Sequence, residues 1–190
     1  VANDGTPNHY WLNRGDARFV DEAFLAGNAV NEAGVAEASM GVDAGDYDND
    51  GWSDVYVTGV GGNRLLRNVE GKRFVEATRQ AGVGGAGNDW STSAAWLDVD
   101  GDGWIDLVVA LDWGGVRVFK NDQGKALEDV SKKWGFDTAG SGLWTSLAAA
   151  DFNGDGRLDY AVGNLGLNTI YEGSRERPMR LLAGKFAGGG

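Results

Sequence analysis

The sequence predicts an all-β fold of the β-propeller type, and three observations predict it. An acidic nine-residue segment occurs three times, at residues 46–54, 98–106 and 151–159, with first positions 52 and 53 residues apart. Each copy runs into a short stretch rich in β-branched and aromatic residues, Val55-Tyr-Val-Thr, Leu107-Val-Val-Ala and Tyr160-Ala-Val-Gly, which reads as a strand. The 190 residues include 32 glycines, only 2 prolines and 11% aromatics, a composition that suits many short strands joined by tight turns. A fixed period near fifty residues that holds four antiparallel strands is the arithmetic of a propeller blade.

Taken in order, one unit reads as a strand over 39–44, the acidic loop, strands over 54–58 and 63–68, a turn, and a strand over 73–77. Other landmarks keep the same step. Tyr10-Trp-Leu-Asn, Leu65-Leu-Arg-Asn and Val118-Phe-Lys-Asn align, and each is followed by a second match at Arg18-Phe-Val-Asp, Arg73-Phe-Val-Glu and Ala126-Leu-Glu-Asp. Ala33-Gly-Val, Ala81-Gly-Val and Trp134-Gly-Phe then lead towards the next small-residue strand. The predicted units are a partial blade over 1–38, complete four-stranded blades over 39–89, 90–142 and 143–178, and a degenerate start over 179–190. Stretches near 21–34 and 129–135 are long enough for single helical turns only. Propellers have about four to eight blades, and an open wedge would expose strand edges. The expectation is therefore a single propeller domain that belongs to a longer chain, or one completed by partner chains.

The acidic segments read as metal loops. Each has oxygen-bearing side chains at positions 1, 3, 5 and 9 and glycine at position 6, as in Asp46-Tyr-Asp-Asn-Asp-Gly-Trp-Ser-Asp. Calcium takes six to eight oxygens at about 2.3–2.6 Å, so a loop must turn sharply to aim several carboxylates at one point. The predicted ligands are Asp46, Asp48, Asp50 and Asp54; Asp98, Asp100, Asp102 and Asp106; and Asp151, Asn153, Asp155 and Asp159. The position-7 residues Trp52, Trp104 and Arg157 each offer a backbone carbonyl. The plainer reading is that Asp, Asn and Gly simply form turns. Clustered carboxylates repel one another without a cation between them, and plain turns have no reason to repeat that cost three times. Position 12 is valine (Val57, Val109, Val162) where an EF-hand requires a bidentate Glu, and strands rather than helices follow. Three Ca²⁺ sites joining β-strands are expected.

These loops recast the charge. A net charge of −11 disfavours nucleic acid and anionic membranes. Eleven carboxylates lie in the loops, and three divalent ions would bring the net charge to −5. No cysteine is present, so there is neither a disulfide framework nor a thiol site. Extracellular calcium modules bind at about 10⁻⁴–10⁻³ M, which points to a secreted, periplasmic or cell-surface location. No apolar run is long enough for membrane insertion as a helix, and a chain beginning at Val1 fits a processed or truncated product.

The three D-x-[DN]-x-D-G-x-x-D loops and their strands resemble the FG-GAP/VCBS family of β-propeller repeats, whose calcium loops are also those of integrin α-subunit propellers. The similarity covers roughly residues 8–173. Val162-Gly-Asn-Leu-Gly-Leu-Asn-Thr looks like a stretch of bacterial secreted VCBS proteins of the ASPIC/UnbV-associated kind. The resemblance implies a secreted or surface protein with Ca²⁺ in each loop, and no single activity. Lys185, Ala187 and Gly189 stand where a fourth loop would carry acids, so no metal is expected there.

Other candidates weigh less. Arg14-Gly-Asp16 spells an adhesion tripeptide, yet it falls at an outer-strand turn where Gly and Asp serve turn geometry. Trp52, Trp90, Trp104 and Trp144 recur with the repeat, which suggests packing between blades. Trp11, Trp113 and Trp134 are less regular, and Trp113 beside Gly114 and Gly115 is the best candidate for an exposed contact. Catalysis lacks parts: His9 is the single histidine, and no G-x-S-x-G elbow or phosphate loop occurs. An acid/base pair would have to come from leftovers such as Glu32, Glu37 or Asp112. The expected function is non-enzymatic, an extracellular calcium-binding, cell-adhesion-type module for protein or glycan ligands. The alternatives are a carbohydrate-active enzyme or lectin using the propeller face, and a subunit of an assembly completed by other chains.

Overall fold

A computed structural model describes residues 1–84, 90–166, 174, 176 and 177. It is all-β, with twelve strands in antiparallel pairs among the described residues. Strands β1 (Trp11–Asn13) and β2 (Phe19–Asp21) form a two-stranded ribbon. Helix α1 (Ala23–Ala26) follows, one turn closed by left-handed Gly27. Strands β3 (Ser39–Gly45), β4 (Asp54–Gly59), β5 (Arg64–Val69) and β6 (Arg73–Glu76) make a four-stranded meander in sequence order. Helix α2 (Thr78–Ala81) leads towards a second meander of β7 (Trp90–Leu97), β8 (Asp106–Gly114), β9 (Val116–Asn121) and β10 (Leu127–Asp129). A 3₁₀ turn at Phe136–Ala139 precedes β11 (Gly142–Ala150) and β12 (Asp159–Asn164).

The strands over 39–77 therefore fall within a residue or two of where the repeat places them. Each meander has the four strands of a propeller blade, and β1–β2 precedes them as a separate two-stranded ribbon. Of the third expected blade, β11 and β12 are described; the outer strands expected for it, and the degenerate start expected over 179–190, fall largely or wholly outside the described residues. Two features depart from the repeat reading. α2 is an additional helical turn between blades, and β11 begins at Gly142 and pairs back with β8 through Gly142–Gly114 and Leu143–Asp112, so adjacent blades share a sheet edge there.

The core lies between successive blades. The first interface gathers Val57, Leu66 and Phe74 with Tyr10. The second gathers Tyr47, Tyr56 and Leu65 against Trp96, Leu107 and Phe119. The third gathers Val108, Val116 and Val118 with Trp144, Tyr160 and Val162. Alternation along β4 and β8 creates this pattern, because Val55 and Leu107 face the preceding blade while Tyr56 and Val108 face the following one.

The innermost strands β3, β7 and β11 approach one another closely, which explains their small residues. A Cβ on Gly41 would lie 2.7 Å from the Thr92 carbonyl oxygen, and one on Gly45 would lie 2.6 Å from Ile105 Cδ1. Polar links cross the same seam. The Trp96 amide donates to Asp43 Oδ2 at 2.8 Å, and the Thr92 hydroxyl donates to the Trp144 carbonyl at 2.6 Å.

Tryptophan placement corrects the recurrence argument. Trp52 and Trp90 are exposed, at 45% and 38%. Trp52 lies over Gly71 of its own blade, not between blades. Trp144 does pack between blades. The buried inter-blade tryptophan is Trp96, stacked on Tyr47 at 6.1 Å and edge-on to Tyr56 at 6.2 Å. Trp113 is half-buried with φ 62°, and Trp11 is half-exposed against His9.

Candidate metal centre

Each acidic loop joins the first two strands of a blade, and one hydrogen-bond frame recurs in all three. The position-1 carboxylate accepts from the amides of positions 5 and 6. Asp46 takes Asp50 at 3.0 Å and Gly51 at 2.9 Å. Asp98 takes Asp102 at 3.1 Å and Gly103 at 2.9 Å. Asp151 takes Asp155 at 3.1 Å and Gly156 at 2.8 Å. The position-5 carboxylate accepts from the position-7 amide, at 2.9 Å for Asp50–Trp52, 3.0 Å for Asp102–Trp104 and 2.9 Å for Asp155–Arg157. These bonds tie the loop into a coil around its own acids.

The coil needs left-handed backbone twice. Gly51, Gly103 and Gly156 at position 6 have φ 91°, 88° and 83°, as a side-chain-free residue allows. Position 4 is left-handed too, at Asn49, Gly101 and Gly154. Asn is the non-glycine residue most tolerant of that region, a constraint at position 4 that the sequence reading did not draw.

In the first loop Asp46, Asp48 and Asp50 place carboxylate oxygens within 4.8 Å of one another. In the second, Asp98, Asp100 and Asp106 do the same. Asp151, Asp155 and Asp159 are not drawn together in this way. Asn153 accepts from the Asp155 amide at 3.0 Å and donates to its carboxylate at 3.1 Å. Asp102 stands outside the second triad, paired with Lys120 at 2.7 Å.

Position 9 anchors the loop from below. Asp54 and Asp106 have no exposed surface. Asp54 accepts from Tyr47 at 3.1 Å and Asn68 at 2.7 Å, and Asp106 accepts from Val99 at 2.9 Å and Asn121 at 2.8 Å. Asp159 accepts from Phe152 at 3.0 Å. Burial pushes the Asp54 carboxyl up to about 6 despite these amides, and raises Asp106 likewise. Burial and the neighbouring Asp50 charge also raise Asp48. Without a cation, the loops therefore hold buried negative charge at a cost.

The donor set fits a hard divalent ion. It is all oxygen, it is clustered, and Asp48 Oδ1 is buried without a hydrogen-bond partner, an orphaned acceptor that a cation would satisfy.

Two pairs of residues join the site from the third strand of each blade. Asn68 and Asn121 donate their backbone amides to the position-9 aspartates. Arg67 lies 3.3 Å from Asp48, and Lys120 bridges Asp100 and Asp102. Both pairs stand in the aligned motifs Leu65-Leu-Arg-Asn and Val118-Phe-Lys-Asn, so the signal was present as a landmark of the repeat. What hid their role is separation: the asparagines stand 14 and 15 positions after their aspartates.

The remaining candidates disperse. Arg14-Gly-Asp16 forms a turn, with Gly15 and Asp16 left-handed, the Arg18 amide on the Gly15 carbonyl, and Arg14 paired with Glu22. Glu32 and Glu37 line a cavity of about 1030 Å³ with Arg64 and Glu76, and Asp112 is not among its lining residues. Arg64 is engaged by Glu76 at 2.7 Å and Glu37 at 3.6 Å, so the leftover acids do not assemble into a pair with Asp112. No helix among the described residues is long and apolar enough to cross a membrane.

The model of the FG-GAP-like repeat matches this chain twice, over residues 46–109 and 98–162. Each match begins at position 1 of one acidic loop and ends at position 12 of the next, so the matched unit takes in two successive loops and the strands between them. Among curated proteins, none matches the chain. With more than half its length covered by repeats whose boundaries coincide with its own acidic loops, the chain belongs to the FG-GAP-like repeat family.

Proposed function

We propose that this chain is an extracellular binding module in which Ca²⁺ holds the first hairpin of each blade. The observation that carries the calcium reading is the triad Asp46, Asp48 and Asp50, converged within 4.8 Å, with a buried Asp48 oxygen lacking any partner. The same backbone frame in the loops of Asp98 and Asp151 extends the reading to three sites, held by the twelve position-1, 3, 5 and 9 residues and by the carbonyls of Trp52, Trp104 and Arg157. Asp102 joins its site once Lys120 yields to the ion. Calcium at extracellular concentration fills sites of this class, which supports a secreted, periplasmic or surface location.

The bound partner on this reading is a protein or glycan held by a blade surface, with catalysis absent. Metal content tests the calcium half. Protein dialysed against calcium should retain three ions per chain by elemental analysis, and Asp48→Ala and Asp100→Ala should each remove one. Full retention in both variants would contradict the assignment. Glycan-array binding without product release would select a lectin, and release of product from a polysaccharide would overturn the non-enzymatic reading.

A further inference from the structure

The second blade reaches into the metal loop of the first through one buried amide. Asn121 is 1% exposed. Its Nδ2 donates to the Tyr47 carbonyl, position 2 of the first loop, at 2.8 Å, and to the Ile105 carbonyl, position 8 of the second loop, at 2.9 Å. Its Oδ1 accepts from the Gly124 amide at 2.8 Å, and its backbone amide donates to Asp106 at 2.8 Å. Gly124, left-handed with φ 75°, seats the following turn against the first loop so closely that a Cβ there would lie 2.9 Å from Asp48 Cα. Asn68, the same residue one blade earlier, donates only to its own loop, to the Ser53 carbonyl at 3.0 Å. The inter-loop bond therefore belongs to the junction of two adjacent loops.

We infer that Asn121 is a positioning residue that couples the first two calcium loops, so that an ion in one raises the affinity of the other. The inference rests on the calcium reading above. Both side-chain donors of Asn121 are spent on carbonyls one residue away from predicted ligands, Asp46 and Asp48 on one side and Asp106 on the other. Ordering either loop fixes the amide, and a fixed amide lowers the ordering cost of the second loop, which is positive coupling without a large movement.

Calcium titration by calorimetry tests this, in an Asp155→Ala background intended to leave only the first two loops. Disabling the first loop with Asp48→Ala should weaken calcium at the second by roughly 5-fold or more. In Asn121→Ala protein, that dependence should vanish, with the second loop binding equally whether or not Asp48 is present. A merely structural asparagine would lower melting in chelator and leave the dependence intact, which would overturn the inference. So would an unchanged second-loop affinity in Asp48→Ala. Should Asn121→Ala fail to fold, Gly124→Ala reads the same contact from the other side. With both loops intact, it should change how far calcium at the second loop depends on Asp48; a dependence of unchanged size would count against the coupling. Two calcium ions bound independently would sink the coupling alone, whereas no calcium bound at all would sink the calcium reading with it.

Discussion

At the scale of single residues, the loops balance concentrated negative charge against whatever cation stands nearest. Asp54 and Asp106 are buried, and the position-2 amide of the same loop and an amide of the third strand satisfy them only as hydrogen-bond acceptors, so their charge still lacks a counter-ion. In the second loop Lys120 supplies one, holding Asp100 and Asp102 while its ammonium lies 5.9 Å from the Trp134 ring. An ammonium on those oxygens competes with a metal ion. Lys120→Met is therefore expected to raise calcium affinity at the second loop about tenfold, roughly 1.4 kcal/mol, and to increase its salt dependence, because the site then carries one more uncompensated negative charge; calorimetry at two ionic strengths reads both. The aspartates were legible because four oxygen positions and a glycine recur in one short segment. Lys120, Arg67 and the two asparagines were not, since their approach depends on how β5 and β9 fold back across β4 and β8.

At the scale of elements, the meanders follow from short alternating strands, and the innermost strands impose the tightest packing. Gly45 of β3 has no room for a methyl group beside Ile105 and Trp96. Gly45→Ala should lower stability by about 1–3 kcal/mol, the usual cost of overpacking, read as a lower denaturant midpoint with the slope unchanged. Trp96→Ala should cost about 3–5 kcal/mol because it empties the space between Tyr47 and Tyr56. Strand positions were readable from β-branched runs punctuated by turn residues. Trp96 escaped because it breaks the repeat: the same place holds Ala44 in the first blade and Ala149 in the third, and an argument from recurrence passes over a residue that occurs once. The β11–β8 pairing escaped for a different reason, since register between neighbouring repeats is set by packing across the seam and leaves no local pattern. Helix α2 is a single turn, below the length at which periodicity carries a signal.

At the scale of the molecule, three inter-blade cores are apolar, while the charge that opposes compaction is gathered in loops between the first two strands of each blade. Metal that binds the folded loops and not the unfolded chain stabilises the whole by mass action, by about 2.7 kcal/mol per site at a hundredfold excess over Kd. The second and third cores run directly beneath the loops, through Tyr47, Leu107 and Tyr160, so loop occupancy should be felt in global melting rather than in local fraying alone. Thermal unfolding of the chain in calcium and in excess chelator is the most direct measurement. A stabilising role for calcium in the folded loops predicts a melting temperature several degrees higher in calcium, with Asp48→Ala losing part of that increment. Identical melting in calcium and in chelator would contradict it.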